Sequence, residues 1–91
     1  MGGRKGVAVL GATGSVGGSA LNVIAQFPGR FHVTALCAGG NAKRLGDLAR
    51  RFRPSLVCLA EESSAGGLGR LPRGTRVVFG ERGMTEAVCA P

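Results

Sequence analysis

Residues 7–17 read Val-Ala-Val-Leu-Gly-Ala-Thr-Gly-Ser-Val-Gly, an apolar run that breaks into glycines and then enters a helical pattern. The run suits a buried parallel strand, which is covered on both faces and so needs no polar alternation. Gly11, Gly14 and Gly17 follow at three-residue intervals. In a nucleotide-binding turn such glycines give a tight bend after the strand, close approach of backbone to pyrophosphate, and close packing of helix on sheet. The N–H groups of the turn and of the helix N-terminus would face phosphate oxygens. With 17 glycines in 91 residues the spacing alone is a weak signal. The strand pattern before it and the helix pattern after it supply the context the motif requires.

Ninety-one residues suffice for one small domain but are short for a complete dinucleotide-binding domain, which needs two mononucleotide halves. A hydrophobic content of 44% supports a core, and with four Phe and no Trp or Tyr that core must be packed with aliphatic and small residues. The net charge of +7 admits nucleic acid, an anionic membrane or a phosphorylated ligand as partner. The bases are dispersed as Arg4-Lys5, Lys43-Arg44, Arg50-Arg51-Arg53 and single arginines from Arg70 to Arg82, with no interleaved aromatics, so a solvated surface is preferred to a nucleic-acid face. Cys37, Cys58 and Cys89 lack metal-ligand spacing and read as reduced, small apolar residues of a cytoplasmic protein. The short apolar run after the basic Met1–Lys5 stretch is too brief for a secretory signal, and no segment could span a bilayer.

Along the chain, a first helix is expected over 15–26, with Val16, Ala20, Val23, Ile24 and Phe27 on the face that packs against the sheet, and Pro28-Gly29 to stop it. A second strand, 31–36, carries His32, which has no acid or cysteine near it in sequence and is read as a surface or sheet-edge residue. A second helix over 42–52 buries Leu45, Leu48, Ala49 and Phe52, with Arg50, Arg51 and Arg53 at the negative end of its dipole. Pro54 ends it, and 56–59 is a third strand. From Glu61 to Arg73 a short, poorly held helix or loop is expected, since Gly66, Gly67 and Gly69 each cost about 1 kcal/mol relative to alanine in a helix. Glu61-Glu62 reads as a solvated helix start rather than acid/base or metal chemistry. A fourth strand at 75–79 and a last helix with Met84, Ala87 and Val88 on one face complete the pattern. Strands alternating with helices specify an α/β fold, a Rossmann-like parallel sheet with helices on both faces, here truncated.

An NAD site carries an Asp or Glu at the end of strand two, about 20 residues past the glycine loop, to bond the adenosine ribose. Residues 36–41 read Leu-Cys-Ala-Gly-Gly-Asn, and no acid appears before Asp47. That removes the ribose partner and the charge that would repel a 2′-phosphate. Gly39 and Gly40 let backbone amides approach, Asn41 can cap helix two, and Lys43 and Arg44 lie in its first turn, so the site leans to NADP(H).

Gly11-Ala12-Thr13-Gly14-Ser15-Val16-Gly17, Leu21-Asn22-Val23-Ile24, residues 31–41, Arg51-Phe52-Arg53-Pro54 and residues 80–87 together resemble the start of the 1-deoxy-D-xylulose 5-phosphate reductoisomerases. The resemblance covers most of the chain and is weakest from Ser63 to Arg73. It implies that residues 1–91 are part of an N-terminal NADPH-binding domain, with Thr13, Gly14, Ser15 and Val16 at the pyrophosphate and Gly39, Gly40 and Asn41 at the adenosine 2′-phosphate end. Many members carry a basic residue where this chain has Gly40, which leaves that charge to backbone amides or to Lys43 and Arg44.

The resemblance further implies a parent enzyme that converts 1-deoxy-D-xylulose 5-phosphate, a phosphorylated sugar, to 2-C-methyl-D-erythritol 4-phosphate in non-mevalonate isoprenoid synthesis. It would use NADPH and a divalent metal, Mg or Mn. The family's metal-binding acids and catalytic residues lie beyond the matched segment, so no catalytic or metal-binding residue is assigned here and the chain alone is expected to be inactive. A homodimer stays open as the parent's assembly. The alternatives are another NADP-dependent oxidoreductase of the semialdehyde dehydrogenase or sugar epimerase type, and a basic nucleic-acid-binding module.

Overall fold

The computed structural model describes residues 5–89. Met1, Gly2, Gly3, Arg4, Ala90, Pro91 and the side chain of Cys89 lie outside the described residues, and with them all of the N-terminal basic stretch but Lys5, and the third thiol. Four strands, β1 (Lys5–Val9), β2 (Phe31–Ala38), β3 (Leu56–Leu59) and β4 (Arg76–Phe79), alternate with α1 (Ser15–Gln26), α2 (Ala42–Phe52), a 3-10 helix (Glu62–Leu68) and α3 (Gly80–Cys89). All strand pairs are parallel, in the order β1-β2-β3-β4.

Connections that step the same way across a sheet with the same hand lie on one face of it. The main core agrees: Leu21 and Ile24 of α1, Leu45, Leu48 and Ala49 of α2, and Leu68 of the 3-10 helix cluster with Val9, Val33, Leu36, Val57 and Leu59 of the sheet. A smaller cluster on the opposite face holds Ala35, Cys37, Leu56 and Cys58 against Ala87 of α3. Helices therefore cover both faces, three connections on one side and α3 on the other.

The β1–β2 register shifts between Val7, opposite Val33, and Ala8, opposite Ala35, so Thr34 is an extra residue in β2. An extra residue reverses the side-chain alternation beyond it. Phe31 and Val33 before it thus share a face with Leu36 and Ala38 after it, and Cys37 turns to the opposite side.

Two expectations are corrected by packing. In α1 the buried residues are Gly17, Leu21 and Ile24, whereas Val16, Val23 and Phe27 are exposed and Ala20 is exposed beside them. A Cβ on Gly17 would lie 2.2 Å from the Gly11 oxygen. Gly17 is therefore the point of closest approach, and the helix is rotated to bring it, not Val16, to the loop. The segment after β3 is also better held than its glycines suggest. Its Leu68 is buried, and the Leu68 and Arg70 carbonyls both accept from Nη1 of Arg50, at 3.0 and 2.9 Å. Gly46 of α2 lets it come so close that a Cβ there would be 2.1 Å from the Leu68 oxygen. Arg50, expected to serve the helix dipole, is thus a tether, also donating to Asp47 Oδ1 at 2.5 Å. His32 is half-buried within β2, an interior strand, and its Nδ1 has no hydrogen-bond partner.

Candidate functional site

Leaving β1, the chain reverses at Gly11, whose φ of 62° lies in the left-handed region that glycine enters without a Cβ penalty. The Gly14 N–H donates to the Gly11 oxygen at 2.9 Å, closing the turn, and the Ala12 N–H donates to the Cys37 oxygen at 2.8 Å, fastening the loop to the end of β2. Gly14 is the N-cap of α1 and supplies no side-chain cap, and the first turn holds no acid. The N-terminal N–H groups of a 12-residue helix are thus left with their partial positive charge and no carboxylate to neutralise it. Ser15 and Val16 are exposed there, and Thr13 is half-buried. The arrangement is one that holds an anion.

A second loop follows β2. Gly39 and Gly40 are exposed, and a Cβ on either would meet nothing within 4 Å, so their value is access rather than internal fit. Asn41 caps α2, its Oδ1 accepting from the Arg44 N–H at 3.2 Å. That side-chain oxygen is therefore engaged in the fold. Lys43 Nζ lies 3.5 Å from Asp47 Oδ2, and the Arg50 guanidinium beside Asp47, helped by Lys43, holds that carboxyl below its ordinary range. Arg44, in the first turn of α2 just after the Gly39-Gly40 loop, is exposed, and its side chain makes no hydrogen bond or ion pair among the described residues, which leaves its charge uncompensated.

Between the two loops and the start of α3 lies a pocket of about 530 Å³, lined by Gly11, Cys37, Ala38, Gly39, Cys58, Ala60, Gly80, Glu81 and Met84. It sits outside the carboxyl ends of the strands, where ligands bind in open α/β sheets. Of the seven residues expected at the cofactor, Gly39 lines the pocket, while Thr13, Gly14, Gly40 and Asn41 belong to the loops around it and Ser15 and Val16 open α1. Ala60, Gly80, Glu81 and Met84 were not foreseen as a lining. The available signal was positional, since each directly follows a predicted strand or opens the helix after one. Gly80, at φ 66°, lets β4 run into α3 without a loop and brings Glu81 and Met84 over the strand ends.

Glu61 and Glu62 are exposed, with Glu61 Oε2 accepting from Ser63 Oγ at 3.5 Å. Among the described residues no three His, Cys, Asp or Glu side chains are grouped to hold a metal, and no helix is long and apolar enough to cross a membrane.

The family model described as 1-deoxy-D-xylulose 5-phosphate reductoisomerase matches residues 7–91. The reductoisomerase of Anaeromyxobacter sp. (strain K) is 44% identical over 88 residues, covering 96% of this chain and 23% of the relative. The solved reductoisomerase of Zymomonas mobilis in complex with NADPH superposes with a TM-score of 0.84 at 32% identity, over 99% of this chain and 24% of that one. A reductoisomerase solved in complex with magnesium gives a TM-score of 0.85 at 30% identity, over 96% and 22%. The chain thus spans about a quarter of the length of the relatives it matches.

Proposed function

This chain belongs to the 1-deoxy-D-xylulose 5-phosphate reductoisomerase family, and from that premise we propose that residues 1–91 are the N-terminal part of its NADPH-binding domain. The observation that carries the reading is the uncapped, acid-free N-terminus of α1 behind the Gly11 turn, fastened to the end of β2. The amides of Thr13 to Val16 hold the cofactor's pyrophosphate, whose charge the helix N-terminus stabilises. The adenosine occupies the pocket between the loops. Gly39, Gly40 and the backbone of Asn41 border its 2′-phosphate, and the Arg44 guanidinium supplies the cation that Gly40 lacks. NADPH, when bound, supplies a hydride.

The parent enzyme converts 1-deoxy-D-xylulose 5-phosphate to 2-C-methyl-D-erythritol 4-phosphate with a divalent metal, in keeping with the NADPH and magnesium complexes of its relatives. The described residues offer no donor set for that metal, so no step of the reaction is assigned to them. The free, buried thiols of Cys37 and Cys58 accord with a reducing, cytoplasmic setting. Calorimetric titration of the chain with NADPH and NADH tests the cofactor reading. A modest preference for NADPH is expected, and equal or reversed affinities would refute it.

A further inference from the structure

Three sulfur-bearing side chains line the strand-end pocket. Cys37 of β2 and Cys58 of β3 are register partners on adjacent parallel strands, their side chains share the face covered by α3, and both line the 530 Å³ pocket. Met84, a thioether 43% exposed on α3, lines the same pocket. We propose that Cys37 and Cys58, with Met84 as a third donor, form a binding site for a soft, thiophilic metal ion of the Cu(I) class. The site is separate in chemistry from the catalytic metal of the family; it lies in the pocket assigned above to the adenosine, so it is a site of the cofactor-free chain, and it does not rest on the cofactor reading.

Three observations select this chemistry. First, the two thiols are register partners on adjacent interior strands, both are free, and each is near enough to the other to influence its protonation, so one ion can bond both sulfurs. Secondly, zinc wants four ligands, and among the described residues no third His, Cys, Asp or Glu joins the pair. Thiolate and thioether donors in low number suit a soft monovalent ion instead. Thirdly, α3 backs the site closely: a Cβ on Gly83 would lie 3.1 Å from Cys58 Sγ, and that thiol donates weakly to the Gly80 oxygen at 3.7 Å. The Cys58 sulfur is therefore held in place before any ion arrives.

Binding is proton-coupled. Burial first, and the neighbouring Cys58 second, push the Cys37 thiol up to about 11, and burial raises Cys58 as well. Each thiol releases its proton to solvent as its sulfur bonds the ion, two protons for one ion, with no change of oxidation state.

The test is anaerobic titration of the 91-residue chain carrying Cys89→Ala, using Cu(I) against a coloured Cu(I) chelator and following thiolate-to-metal ultraviolet absorption. One ion per chain is expected, with affinity falling about a hundredfold per pH unit between neutral pH and pH 6, as release of two protons requires. Cys37→Ser and Cys58→Ser, which keep the side-chain size, should each abolish the absorption while circular dichroism reports a folded chain, and Met84→Leu should weaken binding several-fold. Absence of stoichiometric uptake by the Cys89→Ala chain, or uptake that survives both serine substitutions together, would overturn the proposal.

Discussion

At Gly17 one methyl group decides whether α1 can reach the glycine loop, because the atom it would strike, 2.2 Å away, is the Gly11 backbone oxygen and not a movable side chain. Its neighbour Gly18 lies in the same helix with nothing within 4 Å of the corresponding position. The two make a matched pair. Gly18→Ala should stabilise the chain by up to about 1 kcal/mol through helix propensity. Gly17→Ala should destabilise it by about 1–3 kcal/mol through overpacking and weaken NADPH binding with it. Denaturant melts of both variants check the pair, and equal effects would show that the close approach is unimportant. At the other loop, Arg44→Gln should raise the NADPH dissociation constant about two- to fivefold and leave NADH unchanged, as expected for an exposed charge contact of up to about 1 kcal/mol. Parallel titrations with the two cofactors measure this.

The thiol of Cys37 adds a pH dependence at the same scale. Its value rises from 9.0 to about 11 in the folded chain, so the fold favours the neutral thiol. The resulting stabilisation is fully present below pH 9 and is lost as pH rises towards 11, because the unfolded state releases its proton first. Melting temperatures of the chain between pH 8 and 11 should fall more steeply than those of Cys37→Ala.

Among the elements, α2 and the 3-10 helix illustrate how one residue type serves opposite ends. Glycines between Glu61 and Arg73 argue against a firm helix when only propensity is weighed, yet a Cβ on Gly67 would lie 2.9 Å from Ala42 Cβ, so one of them is there for contact. Gly46→Ala should cost about 1–3 kcal/mol by driving α2 against the Leu68 carbonyl, although alanine is the better helix former. Limited proteolysis of this variant should cut first between residues 62 and 73, and cleavage elsewhere first would contradict the clamp. α2 itself was legible, with Leu45, Leu48 and Ala49 buried, Phe52 half-buried and Asn41 as its cap. α1 was legible in extent but not in rotation, since its apolar residues occupy more than one face and the choice fell to Gly17.

For the molecule as a whole, Leu10, Val16, Val23, Phe27, Met84 and Val88 are large apolar residues between 42% and 84% exposed. α3 covers the second face against β2, β3 and β4, and β1 and β4 are edge strands of the sheet. Exposed apolar surface and unpaired edges subtract from a stability that is marginal at this size. The 91-residue chain should therefore melt at low temperature, and NADPH at about 100 times its dissociation constant should add about 2.7 kcal/mol. It should show no oxidation of NADPH with 1-deoxy-D-xylulose 5-phosphate and magnesium or manganese. Turnover above background would refute the expected inactivity, and a cooperative high-temperature melt without cofactor the expected low melting temperature.

The sequence by itself determined the order of elements, the glycine turn at residues 11–17, the Asn41 cap and the family, because each of these is encoded within a few neighbouring residues by backbone conformation, capping chemistry or a specific motif. Which side of α1 is buried, that Thr34 is an extra residue turning Cys37 to the other face, and that Cys37 meets Cys58 in a pocket Met84 also lines were decided only by tertiary packing. These depend on close approach and register between segments that lie apart in the chain. Such contacts are set by the packing of whole elements, which hydrophobic periodicity within any one of them does not record.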